Sequence, residues 1–295
     1  MNRIFIFVSV VLFAVNAIGT RWVQTKYPES KKILRTYQIL FCLIAALLFW
    51  YRSGFSITLN RALLLYGMGF GLFFFTATLL GAVCYEIGSM SVTSIITNLS
   101  FLIPIVYGCI ASGDQISGMQ CLGIGLIVVV LILVGIPQKG SGGNRVHISP
   151  VWFPAVLIAF FSNGMTAVLQ KRYITDYTDE HLSVMMTVAY LTSAALFLVC
   201  LFVKGNTQTM KVNKRALTEV IVVSIISGIG SFGGNLLVGI LCNVVEGAIL
   251  YSCVNGGLCL FISVVSFLAF KEKCYLTKIL ALVVGVSAII ILNVF

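Results

Sequence analysis

Residues 122–136 read LGIGLIVVVLILVGI, a run without a charged or polar side chain. The strand of an outer-membrane barrel would alternate apolar with polar residues over about ten positions. This run does not alternate, so it reads as a helix. Extended to Gly118 and Pro137, it reaches the roughly 20 residues needed to cross a hydrocarbon core about 30 Å thick. Outward from it, runs of the same order recur at Ile4–Thr20, Ile33–Trp50, Ala62–Tyr85, Ser89–Ser112, Trp152–Leu169, Leu182–Val203, Leu217–Leu241, Gly247–Phe270 and Leu276–Phe295. The expected fold is an all-α polytopic membrane protein of about ten transmembrane helices. Composition agrees, since 59% of the 295 residues are hydrophobic and 9% charged, where a soluble domain carries roughly a quarter charged. With a mean hydropathy of +1.06, a soluble globule, a disordered chain, a disulfide-stapled secreted module and a nucleic-acid binder are excluded. None of these keeps so much apolar surface away from water.

Short links such as Glu86–Gly88 and Gly113–Ser117 make successive helices antiparallel hairpins. The 27 glycines suit close approach of helices in lipid. Nine cysteines, with no Cys-x-x-Cys pair and no histidine cluster beside them, read as free thiols, and neither metal nor cofactor is expected. Arg3 followed by Ile4–Ala14 also has the order of a signal peptide. Its removal would leave an odd number of helices and take away Asn16, for which the second half has a counterpart, so the segment is kept as a helix.

The Gly- and Ser-rich link 138–149 divides the chain into residues 1–137 and 150–295, five helices each. The halves echo one another. Asn16 aligns with Asn163, Arg61-Ala62-Leu63 with Arg215-Ala216-Leu217, and Asp114 with Glu272. Because five is odd, the second half enters the membrane from the opposite side, which makes the halves inverted repeats, an arrangement recurrent in secondary transporters.

The segment 247–295, GAILYSCVNGGLCLFISVVSFLAFKEKCYLTKILALVVGVSAIIILNVF, resembles the last two helices of the drug/metabolite transporter superfamily. Pro104 followed by SGDQISGMQCLGIGLIVVVLILVGI at 112–136 is similar to the same element of its EamA-type branch. That pattern places proline in the fourth helix, an acidic residue in the tight link and glycines in the fifth helix. Here Pro104, Asp114 and Glu272 match, while Ile262 stands where the second proline would fall. Val15–Thr20 also resembles the first helix of the small multidrug resistance proteins. Those proteins couple proton to drug through a glutamate, and the aligned residue here is Asn16, whose amide does not exchange a proton near neutral pH.

Ionisable residues in a membrane are costly and functional by default, and these spans hold almost none. Lys and Arg are missing from their centres, Lys171 and Arg172 falling in a link, and the run Asp176, Asp179, Glu180 and His181 reads as a solvated hairpin. Without a nucleophile, base or metal cluster at depth, an enzyme is not expected. Asp114 and Glu272 read as helix caps. What remains is neutral: Ser162, Asn163, Thr166 and Gln170 share a helix face, as do Ser94, Thr97, Asn98 and Phe101, then Ser224, Ser227, Ser231 and Asn235, then Ser252, Asn255, Gly256 and Cys259. Tyr190 and Gln38 stand as isolated additions. Ser and Thr on such faces ordinarily bond within or between helices. For Asn16, Asn98, Asn163, Asn235 and Asn255, cavity lining and interhelical bonding are both open.

The resemblance implies a central cavity lined by the first, third, fourth, sixth, eighth and ninth helices, with Asn16 and Asn163 facing each other across the pseudo-symmetry. The candidate cavity residues are then Asn16, Thr97, Asn98, Phe101, Asn163, Thr166, Asn235, Tyr251 and Asn255, with Phe101 and Tyr251 as aromatic walls. The function expected is that of a secondary transporter, an exporter of a small metabolite or amino-acid-like solute working by alternating access. The alternative is a lipid-linked substrate flippase or a membrane enzyme acting on lipid or prenyl chains. The partners are the bilayer of the plasma membrane, a small-molecule substrate and, if transport is coupled, an ion. No nucleic acid is expected, and monomer and dimer stay open. Sorting the 19 basic residues by link places five on the face of the N-terminus and fourteen on the other. By the positive-inside rule both termini lie outside, whereas the resemblance implies both inside.

Overall fold

The computed structural model of the chain describes residues 2–28, 30–55, 60–87, 93, 96–113, 115–135, 150–177, 181–203, 214–270 and 276–294. Among these residues the chain is helical, with no strand. The helices are α1 (Asn2–Lys26), α2 (Lys31–Arg52), α3 (Arg61–Ile87), α4 (Leu102–Tyr107), α5 (Gly118–Gly135), α6 (Trp152–Tyr177), α7 (Leu182–Val203), α8 (Lys214–Leu241), α9 (Gly247–Phe270) and α10 (Leu276–Val294). Six of those described, α1, α2, α3, α6, α7 and α8, are long and apolar enough to cross a membrane. Asp114, Glu272, Asp179, Glu180 and the link 138–149 lie outside the described residues.

Local chemistry sets the ends. Ser30 caps α2 by accepting the Ile33 amide at 3.3 Å. The start of α5 carries a reciprocal capping box in which the Gln120 amide donates to the Ser117 hydroxyl (3.1 Å) and the Ser117 amide to the Gln120 side-chain oxygen (2.9 Å). The fourth segment is irregular for a stated reason. Pro104 has no amide hydrogen and its ring crowds the carbonyl one turn back, and the helix narrows to a 3-10 turn at Leu99–Phe101 before it. After α4 it widens to a π turn, Gly108–Ser112, closed by Gly113 at φ +68, a left-handed conformation that glycine adopts without a Cβ penalty.

The helices pair across the halves. Along the α1/α8 seam, Phe13 meets Gly234, Asn16 meets Gly230 and Gly19 meets Ser227, so the two run antiparallel. Along α3/α6, Tyr66 meets Tyr173 and Phe73 meets Phe161, again antiparallel. Helix α2 runs parallel to α8, Phe41 against Gly228 and Phe49 against Phe232. Helix α3 runs parallel to α7, Gly67 against Met185 and Gly71 against Ala189. Helices α4 and α6 pack in parallel, and α1 packs on α9. Among the described residues two large apolar cores result, beside two small clusters around Trp152 and Leu260. One gathers α2, α3, α7 and parts of α6 and α8 around Tyr37, Phe49, Tyr190 and Phe197. The other gathers α4, α5, α9 and α10 around Phe101, Ile127, Leu250 and Leu292. Helix α1 serves both, through Val23 in the first and Ile6 in the second. Glycine matters most where backbones touch: a Cβ at Gly71 would meet the Ala189 carbonyl oxygen and the Thr192 side chain.

One expectation is corrected. Lys171 and Arg172 are not in a link, because α6 continues about two turns past Leu169 to Tyr177. Lys171 is buried, 6% exposed, the one charged side chain among the described residues that is. Asp176 likewise belongs to α6, one residue before its end, and is exposed there.

Candidate functional site

The neutral polar residues fall into several interhelical seams. Between α6 and the residues leading into α4, the Asn163 side-chain amide donates to the Ser100 hydroxyl (2.6 Å) and the Thr97 carbonyl (3.3 Å). The Thr166 hydroxyl donates to the Asn163 carbonyl (2.6 Å), and the Trp152 indole to the Thr93 hydroxyl (2.9 Å), itself buried. Asn163 is exposed although it sits near the middle of α6. Thr97, Asn163 and Thr166 are thus brought together. Across α6, the Tyr251 hydroxyl donates to the Ala167 carbonyl (3.3 Å) and lies 3.4 Å from Cys242 Sγ. The Asn255 amide turns back to the Tyr251 carbonyl within α9 (2.9 Å). Phe101 is buried in the same core as Tyr251, and Asn98 is half-buried beside it.

Asn235 sits elsewhere, on α6/α7/α8. Its amide donates both hydrogens, to the Tyr190 hydroxyl and to the Ser231 carbonyl, each at 2.9 Å. Tyr190 and Ser231 share a hydrogen bond of 2.6 Å, and the Gln170 amide donates to the Asn235 carbonyl at 2.8 Å. With every donor of its nitrogen used, Asn235 works as an interhelical tie. Tyr190, which in the sequence stands alone, is the hub of this group.

Asn16 belongs to a further seam, α1/α2/α8. The Thr20 hydroxyl donates to the Asn16 carbonyl (3.0 Å) and lies 3.0 Å from the Tyr37 hydroxyl, which donates to Ser227 (2.8 Å). Asn16 lies against Gly230 of α8, while Asn163 is bound to Ser100 and Thr97 ahead of α4. At the mouth of α9, the Gln120 amide donates to the Glu246 carboxylate (2.9 Å), joining the starts of α5 and α9. Among the described residues no group of three or more His, Cys, Asp or Glu side chains comes together as a metal site, and the eight described cysteines form no disulfide.

Two residues of consequence are hard to find in the sequence. Lys171 follows Gly164 and Ala167 along one stripe of α6, and those two meet Ile103 of α4 and Tyr251 of α9. Its charge hid it, because basic residues ordinarily mark helix ends. Gln120 carried a usable signal, the Ser-x-x-Gln capping spacing at 117–120.

No protein-family model matches the chain, and no curated protein does. Solved structures do match, 28 chains in all. One of them, a crystal structure of a protein, superposes with a TM-score of 0.74 over 99% of this chain and 98% of its own, at 12% identity. At that identity the likeness concerns the fold alone, and the chain has the end-to-end helical arrangement of that solved protein.

Proposed function

We propose that the chain is a secondary transporter of a small polar or amphipathic metabolite, with ten membrane passes arranged as two inverted five-helix halves that expose a shared cavity to each face in turn. The exchange relation among helix pairs carries this reading. If the first and sixth helices are equivalent, the second and seventh, and so on, then α1 on α8 answers α6 on α3, α1 on α9 answers α6 on α4, and α2 on α8 answers α7 on α3. A duplicated, opposed pair of halves accounts for all three correspondences.

Asn163 supports the cavity. With both amide hydrogens given to Ser100 and Thr97, the exposed side chain at the middle of an apolar helix still offers its carbonyl oxygen, which costs free energy against lipid and is satisfied by water or solute in a cavity. The α4/α6/α9 group of Thr97, Asn163, Thr166, Tyr251 and Asn255 then forms the wall that meets the solute, with hydroxyl and amide groups as neutral hydrogen-bonding partners. The solute is exported across the plasma membrane.

The test is flux. Solutes accumulating in cells that lack the protein are identified by untargeted metabolite profiling and then loaded into proteoliposomes. The wild type is expected to release them, and Asn163→Ala to slow release tenfold or more, on the order of one lost hydrogen bond to a desolvated polar group, while folding normally. Normal flux in Asn163→Ala would remove this amide from the site. No flux of any accumulated solute would remove the transport reading.

A further inference from the structure

Each end of the fold carries the same small constellation. On α8, Glu219 has Arg215 one turn before it, Nε to Oε1 at 3.4 Å. Across the seam its Oε2 accepts the Tyr27 hydroxyl (2.8 Å) and pairs with Lys26 Nζ at the end of α1. On α6, Asp176 has Arg172 one turn before it, Nε to Oδ2 at 2.8 Å. Across the seam its Oδ2 accepts the Tyr66 hydroxyl from α3 (3.1 Å). In both places a carboxylate with a basic residue four positions earlier on its own helix holds a tyrosine across the antiparallel seam, Tyr66 within α3 and Tyr27 directly after α1. Aromatic rings surround each: Lys26 lies 4.6 Å from the Trp22 ring, and Tyr66 packs edge-on to Tyr173 and Tyr177 at 5.6 and 6.1 Å. Arg172 also reaches the Tyr107 hydroxyl of α4 at 3.4 Å.

The two lie at opposite faces. Lys26 ends α1 at the face where α8 and α2 begin, whereas Tyr66 is near the start of α3, at the face where α2 and α6 end. The seams they close, α1/α8 and α3/α6, are the pair that exchange places when the halves are swapped.

We infer that Glu219 with Lys26 and Tyr27, and Asp176 with Tyr66 and Arg172, are the two reciprocal gates of the transport cycle, each closing one face while the other is released. The inference rests on the alternating-access reading. Its physical basis is that both clasps are partly open to water, with side chains 43% and 26% exposed in one and 45% and 27% in the other. Exposed ion pairs contribute little and are readily exchanged for water, so either can be broken without unfolding the seam beneath it.

The test is hydrogen exchange on the full chain in lipid nanodiscs, comparing Glu219→Gln and Asp176→Asn with the wild type. Glu219→Gln is expected to raise exchange by about twofold to fivefold at residues 20–28 and 214–220 and to lower it at 61–68 and 170–177. Asp176→Asn is expected to do the reverse. Tyr27→Phe and Tyr66→Phe, which remove only the hydroxyl across the seam, should reproduce the two patterns more weakly and serve if a carboxylate variant does not fold. Exchange that rises at the altered end with no fall at the far end would make the clasps independent staples and overturn the inference. So would no change at either end. A reciprocal pattern in a protein that moves no solute would instead leave the gates coupled and defeat the transport reading.

Discussion

The core around Tyr190 and the core around Leu250 are held by different means. In the first, rings interlock: Phe49 lies 5.9 Å from Tyr190 and 4.7 Å from Phe232, Phe74 lies 5.6 Å from Tyr190, and Phe75 lies 4.9 Å from Phe197. Hydroxyls and amides then fix the register, with Tyr190, Ser231, Asn235 and Gln170 bonded across three helices. In the second, branched aliphatic ends drop into glycine positions, Leu292 at Gly123 and Ile127 at Gly256. Lipid offers no hydrophobic gain for bringing helices together, so packing detail and hydrogen bonds carry association. The difference teaches that the fold has a directional, aromatic frame on one side and a smoother, aliphatic side that includes the proline-broken fourth segment.

Glycine substitution probes that difference most strongly. Gly71→Ala places its methyl against the Ala189 carbonyl and Thr192, where neither backbone can move, and is expected to cost about 3 kcal/mol in thermal unfolding. Gly256→Ala meets chiefly the mobile end of Ile127 and should cost about 1 kcal/mol or less. Equal losses would mean that both sides are equally rigid. Removing hydrogen bonds comes next. Tyr190→Phe leaves the Asn235 amide and Ser231 short of a partner in a buried place and should lower stability by about 1–3 kcal/mol. Asn255→Leu removes only a bond back along its own helix and should fall within about 1 kcal/mol, so a larger loss would place a hidden polar tie in the aliphatic side. The smallest effect belongs to Ser252, whose buried hydroxyl has no partner. Ser252→Ala is expected to leave the melting temperature unchanged or to raise it, since an unsatisfied hydroxyl is costly to bury; a drop would reveal a bond to an ordered water.

Much of the helical fold was legible because apolar runs such as 122–136 admit one reading in lipid. The spacing that aligns Asn16 with Asn163 said nothing of their partners. Those depend on which seam each helix enters: Asn16 stands against Gly230 of α8, and Asn163 bonds to Ser100 and Thr97. Tyr190 looked isolated because Ser231 and Asn235 lie 41 and 45 residues away. Lys171 was misplaced because charge was taken as the end of a helix. In fact α6 runs on with its lysine buried inside the protein and its aspartate tied to Tyr66. Charge marks a boundary with lipid, and a helix facing protein is not bound by that rule.

The interleaving of the halves has a consequence for how the chain is made. Lys26 meets Glu219 across 193 residues of sequence and Tyr66 meets Asp176 across 110. At the usual rate of synthesis, α1 therefore leaves the ribosome on the order of ten to forty seconds before its main partner exists. During that interval Gly71, Asn16 and the aromatic faces of α2 and α3 have only lipid, one another or the insertion machinery to rest against. Neither half is a folding unit that can be completed and set aside. A chain interrupted after α5 would leave Gly71 and Asn16 without the α7 and α8 surfaces they pack against.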